Sequence, residues 1–379
     1  MEFQNIWVIS GTISGIYIIW IASFIYGWFK LPPVEIMHQS TEKISVLVAI
    51  RNEGENLPVL LHSLLNQNFP RNQFELIIVD DNSEDNGLDI INKFQSSNTE
   101  IDITYFRLEN TPLTRGKKAA LRLAYQKAKY PIILMIDGDC EAQANWLQIT
   151  ANAYLDEKIK MVLGGVKITK ANKLIEKFQS LELLSLIGSG AGAVGIQFPI
   201  MSNGANLSFK KEILKHINIK NLQQKEPSGD DIFLMMETKR IYGAQAIHFL
   251  KHPDHFVTTQ AEENWTSFIN QRLRWVSKSG NYRDPFLLST SFVILTQNLL
   301  ILVLLLSSIF IPVLILGLII VWGTKSLIDY FLLRNICNTT SQKSLLYSYP
   351  LMAVIYPFFI SYTAILGQFS SFSWKGRKY

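Results

Sequence analysis

Charged residues are absent from three long stretches of this 379-residue sequence, at 6–29, 285–324 and 344–374. A helix needs about 20 apolar residues to cross the hydrocarbon core of a bilayer, and each stretch is long enough. A cleaved signal peptide is the alternative for the first stretch. However, "MEFQN" carries no basic residue, and the run after it exceeds the usual length of about 7–15 residues. The sequence therefore predicts a retained N-terminal anchor and about three spans near the C-terminus.

Cysteine is also scarce, because the sequence contains only Cys140 and Cys337. Two cysteines give no disulfide framework, which suits a reducing compartment. Basic residues, among them Lys30 and Lys325, flank the uncharged stretches. By the positive-inside rule we expect the flanks of the middle part of the chain on the cytoplasmic side of the membrane. Three spans after it would leave the "KGRK" tail outside, so one C-terminal segment would have to lie in the interface or re-enter.

Two phosphate-binding motifs are missing from the positions at which their folds carry them. No G-x-G-x-x-G follows the first apolar run and no G-x-x-x-x-G-K-[ST] occurs, which argues against a Rossmann dehydrogenase and a P-loop enzyme. Helical stretches instead alternate with short apolar runs at 43–50, 74–81, 101–108 and 131–139. This alternation predicts an α/β domain with a mostly parallel sheet covered on both faces.

Acidic residues end two of these runs, as Asp80-Asp81 and as Asp137-Gly138-Asp139. Ligands of parallel sheets bind at the carboxyl ends of the strands, so we expect both acidic pairs on one rim. Two carboxylates one residue apart repel each other unless a positive charge lies between them. From these residues alone, "MIDGDC" is either a polar turn that leaves a core strand or a cation site.

Five short motifs occur in order along the chain: VAIRNEGEN, IIVDDNSED, MIDGDC, SGDDIFL and QRLRW. Together they resemble the membrane-bound branch of glycosyltransferase family 2, which carries D-x-D and Q-x-x-R-W motifs and includes cellulose and hyaluronan synthases. The resemblance implies a GT-A domain, a Rossmann-like nucleotide-sugar fold, flanked by transmembrane helices. The predicted parts are an anchor at 1–40, the GT-A domain at 41–260, an amphipathic interface helix at 261–285 and a C-terminal membrane region at 286–379.

The resemblance assigns the first two motifs to the nucleotide of a sugar donor. Asp80 and Asp81 would contact the base and the ribose, since carboxylates accept hydrogen bonds from an imide N–H and from hydroxyls. Arg51, Asn52 and Glu53 match a donor-binding segment usually written Tyr-Asn-Glu, with arginine in place of tyrosine. The alternative for the acidic pair is a β-turn rich in Asp, Asn and Ser.

The resemblance assigns the diphosphate of the donor to Lys117 and to the D-x-D motif. Asp139 would bind Mg²⁺ or Mn²⁺, with Asp137 as a second ligand that also contacts the sugar or ribose. Such hard cations take one or two carboxylates and complete their shell with substrate phosphates. Cys140 is a soft ligand and is left out. The alternative for Lys117 is a solvated helix start shared with Arg115 and Lys118.

The fourth motif, "SGDDIFL", precedes a helical pattern and would supply the general base. The resemblance gives this role to Asp231, with Asp230 in support, because a carboxylate must take the proton of the attacking acceptor hydroxyl. The resemblance also places the segment "SNGANLSFKKE" (202–212), with Gly204 and Asn206, near the donor sugar and the acceptor. A helix cap is the alternative for the two aspartates.

The fifth motif places Gln271, Arg274 and Trp275 on one face of a helix, at i, i+3 and i+4. The resemblance gives Arg274 to the donor diphosphate, and Gln271 and Trp275 to the acceptor sugar. Arg272 lies on another face and receives no role. An amphipathic helix at the membrane surface is the alternative. The apolar residues of 174–186 predict a further surface helix near the membrane that is not part of a site.

The sequence thus predicts an inverting, metal-dependent hexosyltransferase that moves a sugar from a nucleotide donor, expected to be a UDP-sugar, to a polysaccharide or a lipid-linked acceptor. An export partner or a homo-oligomer would complete the assembly, and nucleic acid is not expected as a partner. The alternatives are an enzyme that makes a single linkage on a lipid and, in another class, a non-catalytic membrane scaffold. Retention of both Asp139 and Asp231 favours an enzyme over the scaffold.

Overall fold

A seven-stranded mixed sheet forms the centre of the domain, in the order β3-β2-β1-β4-β7-β5-β8. The computed structural model describes residues 2–37, 42–109, 116–217, 230–277, 283–367, 373–374 and 377–378. The strands of this sheet are β1 (Ile44–Ile50), β2 (Phe74–Asp80), β3 (Asp102–Arg107), β4 (Ile132–Met135), β5 (Met161–Leu163), β7 (Leu207–Lys210) and β8 (Ile247–Phe249). Two further pairs are β6 (Val166–Ile168) with β9 (Val257–Thr259), and β10 (Ser373–Trp374) with β11 (Arg377–Lys378).

The first four strands run parallel, and β7 is inserted antiparallel between β4 and β5. All residues of β2 and β4 are buried. Burial on both faces explains why these strands are continuous apolar runs rather than alternating ones. The predicted α/β fold with a mostly parallel sheet is confirmed. Its carboxyl edge, where β1, β2 and β4 end, is the edge that carries the acidic motifs.

Helices cover the sheet and connect its strands. The helices of this part of the chain are α2 (Leu57–Leu65), α3 (Gly87–Ser97), α4 (Lys117–Lys127), α5 (Trp146–Ala153), α6 (Leu174–Gly195), α7 (Ile213–His216), α8 (Asp230–Tyr242) and α9 (Trp265–Val276). In the middle of the sheet, α4 packs against β1 and β2. The start of α4 therefore lies beside the carboxyl edge, and the helix carries Lys117 as its first residue.

Four helices are long and apolar enough to cross a membrane, over Gln4–Lys30, Pro285–Phe310, Leu314–Thr339 and Lys343–Leu366. The α-helices that correspond to these four spans are α1 (Glu2–Lys30), α10 (Pro285–Phe310), α11 (Leu314–Thr339) and α12 (Tyr349–Leu366). They confirm the flanking membrane helices of the predicted fold, whereas the predicted domain boundaries and orientation stay predictions. Part of the "KGRK" tail lies outside the described residues.

The charge pattern indicates that Lys325 flanks a span. In the structure, Lys325 instead lies near the middle of α11. Its ammonium forms an ion pair with Asp329 at 2.6 Å, and its side chain is 3% exposed. The hydroxyl of Tyr17 in α1 donates to the same carboxylate at 2.7 Å. The uncharged stretch of the sequence ends at Lys325, but helix α11 continues past this residue. Asp329, one helical turn further on, neutralises the charge of Lys325.

Helix α6 is not the surface helix that its sequence suggested. Most of its residues are buried, and it packs against α1 and α11. Gly192 and Gly195 approach α1 so closely that a Cβ at either position would overlap the backbone of Phe24 or Gly27. Small residues at a helix crossing allow such contact between backbones. The helix is apolar around most of its circumference, which is the pattern of a buried helix.

Candidate functional site

A cavity of about 990 Å³ opens at the carboxyl edge of the parallel strands. Its lining includes Asp81, Asp137, Asp139, Asp231 and Arg274, and from there it extends along α6 towards α1, α10, α11 and α12. Residues that are far apart in the sequence thus meet at one edge, as expected for ligand sites of open α/β sheets. The acidic motifs and the Q-x-x-R-W helix belong to a single site.

The D-x-D motif closely follows β4, and Lys117 offsets its negative charge. The Lys117 ammonium forms an ion pair with the carboxylate of Asp137. Burial of the Lys117 side chain lowers its pKa, but the negative charges of Asp137, Asp231 and Asp139 outweigh that effect, so the pKa is raised. Lys117 therefore stays protonated and supplies positive charge beside the D-x-D motif.

Asp139 accepts hydrogen bonds from neutral groups, the Thr259 Oγ1 at 3.5 Å and the Cys140 Sγ at 3.6 Å. Burial, followed by the charges of Asp139 and Asp137, raises the pKa of Cys140 well above its usual value. The thiol therefore stays protonated. The exclusion of Cys140 from the metal ligands stays a prediction.

The oxygen atoms of Asp137 and Asp139 fit a hard divalent cation. Among the residues that the structure describes, no group of three or more His, Cys, Asp or Glu could hold a metal ion. A cation at this site would therefore need further ligands from a bound diphosphate, which is the usual arrangement for Mg²⁺ in nucleotide sites. His252 and His255 are therefore not part of such a group either.

The two aspartates at the carboxyl end of β2 have different surroundings. Asp81 lines the cavity, and its Oδ1 accepts from the backbone N–H of Gly116 at 2.9 Å. Asp80 does not line the cavity: its carboxylate accepts from the backbone and hydroxyl of Ser83 and from the hydroxyl of Tyr105 at 2.9 Å. The structure thus brings Asp81 to the cavity and uses Asp80 to fix the loop.

The segment after β1 is divided in the same way. Arg51 and Glu53 line the cavity, and the Arg51 guanidinium donates to the carbonyl oxygen of Asp81 at 2.7 Å. Asn52 is absent from the lining, has a left-handed φ of 52°, and accepts from the backbone N–H of Glu84 at 2.9 Å. Asparagine tolerates this conformation. Asn52 therefore joins two loops of the rim instead of facing the cavity.

Asp231 lies in the first turn of α8 and faces the cavity. Its Oδ2 accepts from the backbone N–H of Gly204 at 3.0 Å, which ties the fourth motif to the "SNGAN" segment. A carboxylate held by one backbone donor keeps its second oxygen available for another donor. Asp230 is the first residue of α8, and its side chain lies outside the described part of the structure.

Helix α9 contributes Gln271, Arg274 and Trp275 to the cavity lining, as the helical spacing predicted. Burial lowers the pKa of the Arg274 guanidinium, while the charges of Asp137, Glu262 and Asp231 act in the opposite direction. An arginine remains charged despite such a shift. Arg274 therefore adds a second permanent positive charge beside the D-x-D motif.

Arg272 also lines the cavity, although the sequence reading gave it no role. It is buried against Glu182 of α6, another cavity-lining residue that the sequence reading missed. The signal was present in the helical spacing, because Phe268, Arg272 and Trp275 recur at i, i+4 and i+7 and share a face. Glu182, in contrast, lies in the segment 174–186, for which the sequence predicts a surface helix outside the site.

These features define an α/β domain flanked by helices long and apolar enough to cross a membrane, with acidic and basic side chains on one cavity. The chain belongs to the glycosyl transferase 2 family: the model of glycosyl transferase family group 2 matches 132–374, and that of glycosyl transferase family 2 matches 45–217. The family expected from the five motifs is confirmed.

The relatives of this chain include polysaccharide synthases. It is 30% identical over 215 residues to a poly-β-1,6-N-acetyl-D-glucosamine synthase of Staphylococcus epidermidis, covering 53% of this chain and 49% of that protein. It is 26% identical over 244 residues to the probable glycosyltransferase YdaM of Bacillus subtilis, covering 62% and 54%. The chain thus spans about half the length of the curated relatives that it matches.

The fold is similar to that of a mannosyltransferase from Pyrobaculum calidifontis, solved in complex with GDP-Man and Mn²⁺. The TM-score is 0.55 at 14% sequence identity, over 92% of this chain and 99% of the other. At this identity the similarity concerns the fold alone. The alignment extends beyond the sheet, since it covers almost the whole of both chains.

Proposed function

We propose that this protein is an inverting, metal-dependent glycosyltransferase that moves a sugar from a nucleoside diphosphate donor to a polysaccharide or a lipid-linked acceptor. The observation that supports it most strongly is the meeting of Asp137, Asp139, Asp231, Lys117 and Arg274 at one cavity. Carboxylates for a cation, cations for a diphosphate and a separate carboxylate for a proton are the groups that this reaction requires.

The donor end of the cavity binds the nucleotide and its diphosphate. Asp81 lies at the rim where a base and ribose would be held, and Lys117 and Arg274 carry the positive charge for the phosphate oxygens. Asp139 and Asp137 are the ligands proposed for Mg²⁺ or Mn²⁺, which would neutralise charge on the leaving diphosphate as a Lewis acid. The planar guanidinium of Arg274 suits two phosphate oxygens at once.

Asp231 is the proposed general base. The acceptor hydroxyl oxygen forms a bond to the anomeric carbon of the donor sugar while the bond from that carbon to the diphosphate oxygen breaks. The hydroxyl proton moves to the Asp231 carboxylate, and the nucleoside diphosphate leaves with the bonding electrons. Because the attack is in line with the departing group, the configuration at the anomeric carbon is inverted.

The names of the relatives suggest which donors to test first. The synthase of Staphylococcus epidermidis is named for N-acetylglucosamine, and the structure from Pyrobaculum calidifontis contains GDP-Man with Mn²⁺. We propose a UDP-sugar, with UDP-N-acetylglucosamine as the first candidate. The catalytic domain is proposed to lie on the cytoplasmic side of a bacterial-type inner membrane, where nucleotide sugars are made.

A donor panel tests the proposal. Purified full-length protein in detergent is incubated with UDP-N-acetylglucosamine, UDP-glucose or GDP-mannose, with Mn²⁺, Mg²⁺ or EDTA, and the released nucleoside diphosphate is measured. We expect release from one donor, loss of that release with EDTA, and loss in Asp139→Ala. Release that persists in Asp139→Ala, or no release from any donor under these conditions, would overturn the proposal and favour a non-catalytic scaffold.

The product distinguishes a polymerase from an enzyme that makes one linkage. Radiolabelled donor sugar is followed into high-molecular-weight glycan and into the organic-solvent extract that contains lipids. Inversion is read from the anomeric configuration of the new linkage by NMR. A retained configuration would contradict the single-displacement role of Asp231.

A further inference from the structure

Arg272 and Glu182 form a buried ion pair between α9 and α6. The guanidinium Nε and Nη2 both donate to the Glu182 carboxylate, Nε at 2.9 Å, so the pair is bidentate. The two side chains are only 7% and 5% exposed. Side chains so deeply buried hold one orientation, and a planar fork fixes the geometry of the pair as well as its distance.

The free faces of the guanidinium are covered by aromatic rings. The central carbon of the Arg272 guanidinium lies 4.5 Å from the ring centroid of Phe268 and 4.1 Å from that of Trp275. Arginine stacks on aromatic rings through its flat, delocalised charge. The orientation of the Trp275 indole, which faces the cavity, is therefore tied to the position of Arg272.

Arg272 also fixes the amide of Gln271. Its Nη1 donates to the Gln271 Oε1, and the Gln271 Nε2 in turn donates to Glu262 at 2.7 Å. With its oxygen engaged by Arg272, the amide of Gln271 is held in one of its two possible orientations. Both residues that the Q-x-x-R-W motif offers to an acceptor are thus oriented by the arginine between them.

Stability alone does not explain this pair. Replacing a buried ion pair by apolar side chains of similar volume is often neutral or stabilising, because desolvation offsets most of the attraction. The pair nevertheless joins two helices that line the same cavity. We propose that Arg272, anchored by Glu182, is a positioning residue that holds Gln271 and Trp275 in place for the acceptor. This inference rests on the proposed transferase function and deepens it.

The inference has a measurable consequence. In a transferase, a donor sugar is passed either to the acceptor or to water, and the ratio depends on how well the acceptor hydroxyl is held. A misplacement of about 1 Å can reduce a rate by roughly 100-fold. Loss of the Arg272 contacts should therefore lower transfer to glycan or lipid, while the reaction of the same donor with water continues.

The test uses purified full-length protein, Mn²⁺ and radiolabelled UDP-N-acetylglucosamine or whichever donor of the panel is active. The ratio of label in glycan and lipid to label in free sugar is measured together with the Kd for UDP. In Arg272→Lys, which keeps the charge but loses the planar fork, we expect the ratio to fall by about 10-fold or more with an unchanged Kd.

Two further variants separate positioning from folding. Arg240→Lys is the matched control, because Arg240 forms an ion pair with Glu237 on the surface of α8 and does not line the cavity. The double variant Arg272→Met/Glu182→Leu fills the space with apolar side chains and is expected to bind UDP normally while keeping the low ratio.

A wild-type ratio in Arg272→Lys, or in the double variant, would overturn the positioning role. A fall in the ratio that is matched by an equal loss of UDP affinity would overturn it too, because it would indicate a general structural defect. Wild-type protein that releases no UDP and transfers no label to glycan, lipid or water would overturn the proposed function itself. The failure of this inference and the failure of the proposed function are therefore distinguishable.

Discussion

Lys117, the first residue of α4, forms an ion pair with Asp137, the first carboxylate after β4. The pair links the start of α4 to the D-x-D motif, 20 residues further along the chain. The repulsion between Asp137 and Asp139 is offset by a lysine whose raised pKa keeps it charged. The protein thus places positive and negative side chains together at the carboxyl edge of the sheet.

Lys117→Met is expected to weaken donor binding. The substitution removes the cation and leaves the carboxylates of Asp137 and Asp139 near each other without their lysine, so an anionic diphosphate is repelled. We expect the donor KM to rise by about 10-fold or more, a cost of roughly 1.4 kcal/mol. Initial rates against donor concentration measure this. Lys118→Met, at a neighbouring position that does not line the cavity, is the control and should keep the wild-type KM.

Asp231→Asn is expected to lower kcat and to spare donor binding. Asparagine still offers an oxygen to the Gly204 N–H, so the local structure is kept, but it cannot take the acceptor proton. Loss of a general base typically costs about 10²–10⁴-fold in rate. Kinetics and a UDP titration check this together. Glu237→Gln on the same helix is the control, and a near-normal kcat in Asp231→Asn would rule out the base.

The carboxyl edge of the sheet could be predicted because buried parallel strands are continuous apolar runs. Asp81 and Asp137 were therefore expected together, and both line the cavity. Which of two adjacent aspartates faces the cavity could not be predicted, because successive side chains of a strand point to opposite sides. Asp80 turns to Ser83 and Tyr105 instead. The same limit applies to Asn52, whose left-handed conformation depends on the neighbouring loop.

The contacts between helices were the least predictable part of the site. The spacing of the Q-x-x-R-W motif placed Gln271, Arg274 and Trp275 correctly on one face. It did not reveal that the neighbouring face of α9, which carries Arg272, would pack against α6, since α6 was expected on the surface. A charge such as that of Glu182 is buried only where an opposite charge from another part of the chain pairs with it. The sequence does not show that this partner is Arg272.

His255 is expected to make the protein less stable as the pH falls. Burial, with a smaller effect of His252, lowers the pKa of His255 to about 3. Its unfolded form has a pKa of about 6.5, so between these values the unfolded state binds the extra proton. Stability is fully present above about pH 6.5 and falls by up to about 1.4 kcal/mol per pH unit below it.

His255→Leu should flatten this dependence. The wild-type thermal midpoint in detergent is expected to drop more between pH 7 and pH 5 than that of the variant. Leucine loses the contact with Thr150 Oγ1, at 3.2 Å, so the variant is compared with itself at the two pH values. Equal drops in both proteins would contradict the role of His255.

The ion pair of Lys325 and Asp329 should be sensitive to the removal of one partner and tolerant to the loss of both. Lys325→Met leaves the Asp329 carboxylate among apolar helices, which typically costs about 3–5 kcal/mol. Lys325→Met/Asp329→Leu removes both charges and is expected to recover most of the thermal midpoint. A double variant as unstable as Lys325→Met would show that the charges are needed for helix packing.

Gly192 should tolerate no larger residue, because α1 and α6 touch there. A Cβ at Gly192 would overlap the backbone carbonyl of Phe24, so Gly192→Val must separate the two helices. Overpacking typically costs about 1–3 kcal/mol, and a clash with backbone is at the upper end. Gly11→Val in α1 is the matched control, since nothing lies within 4 Å of a Cβ there. Thermal midpoints of the two variants in detergent measure the difference, and equal midpoints would contradict the close crossing of α1 and α6.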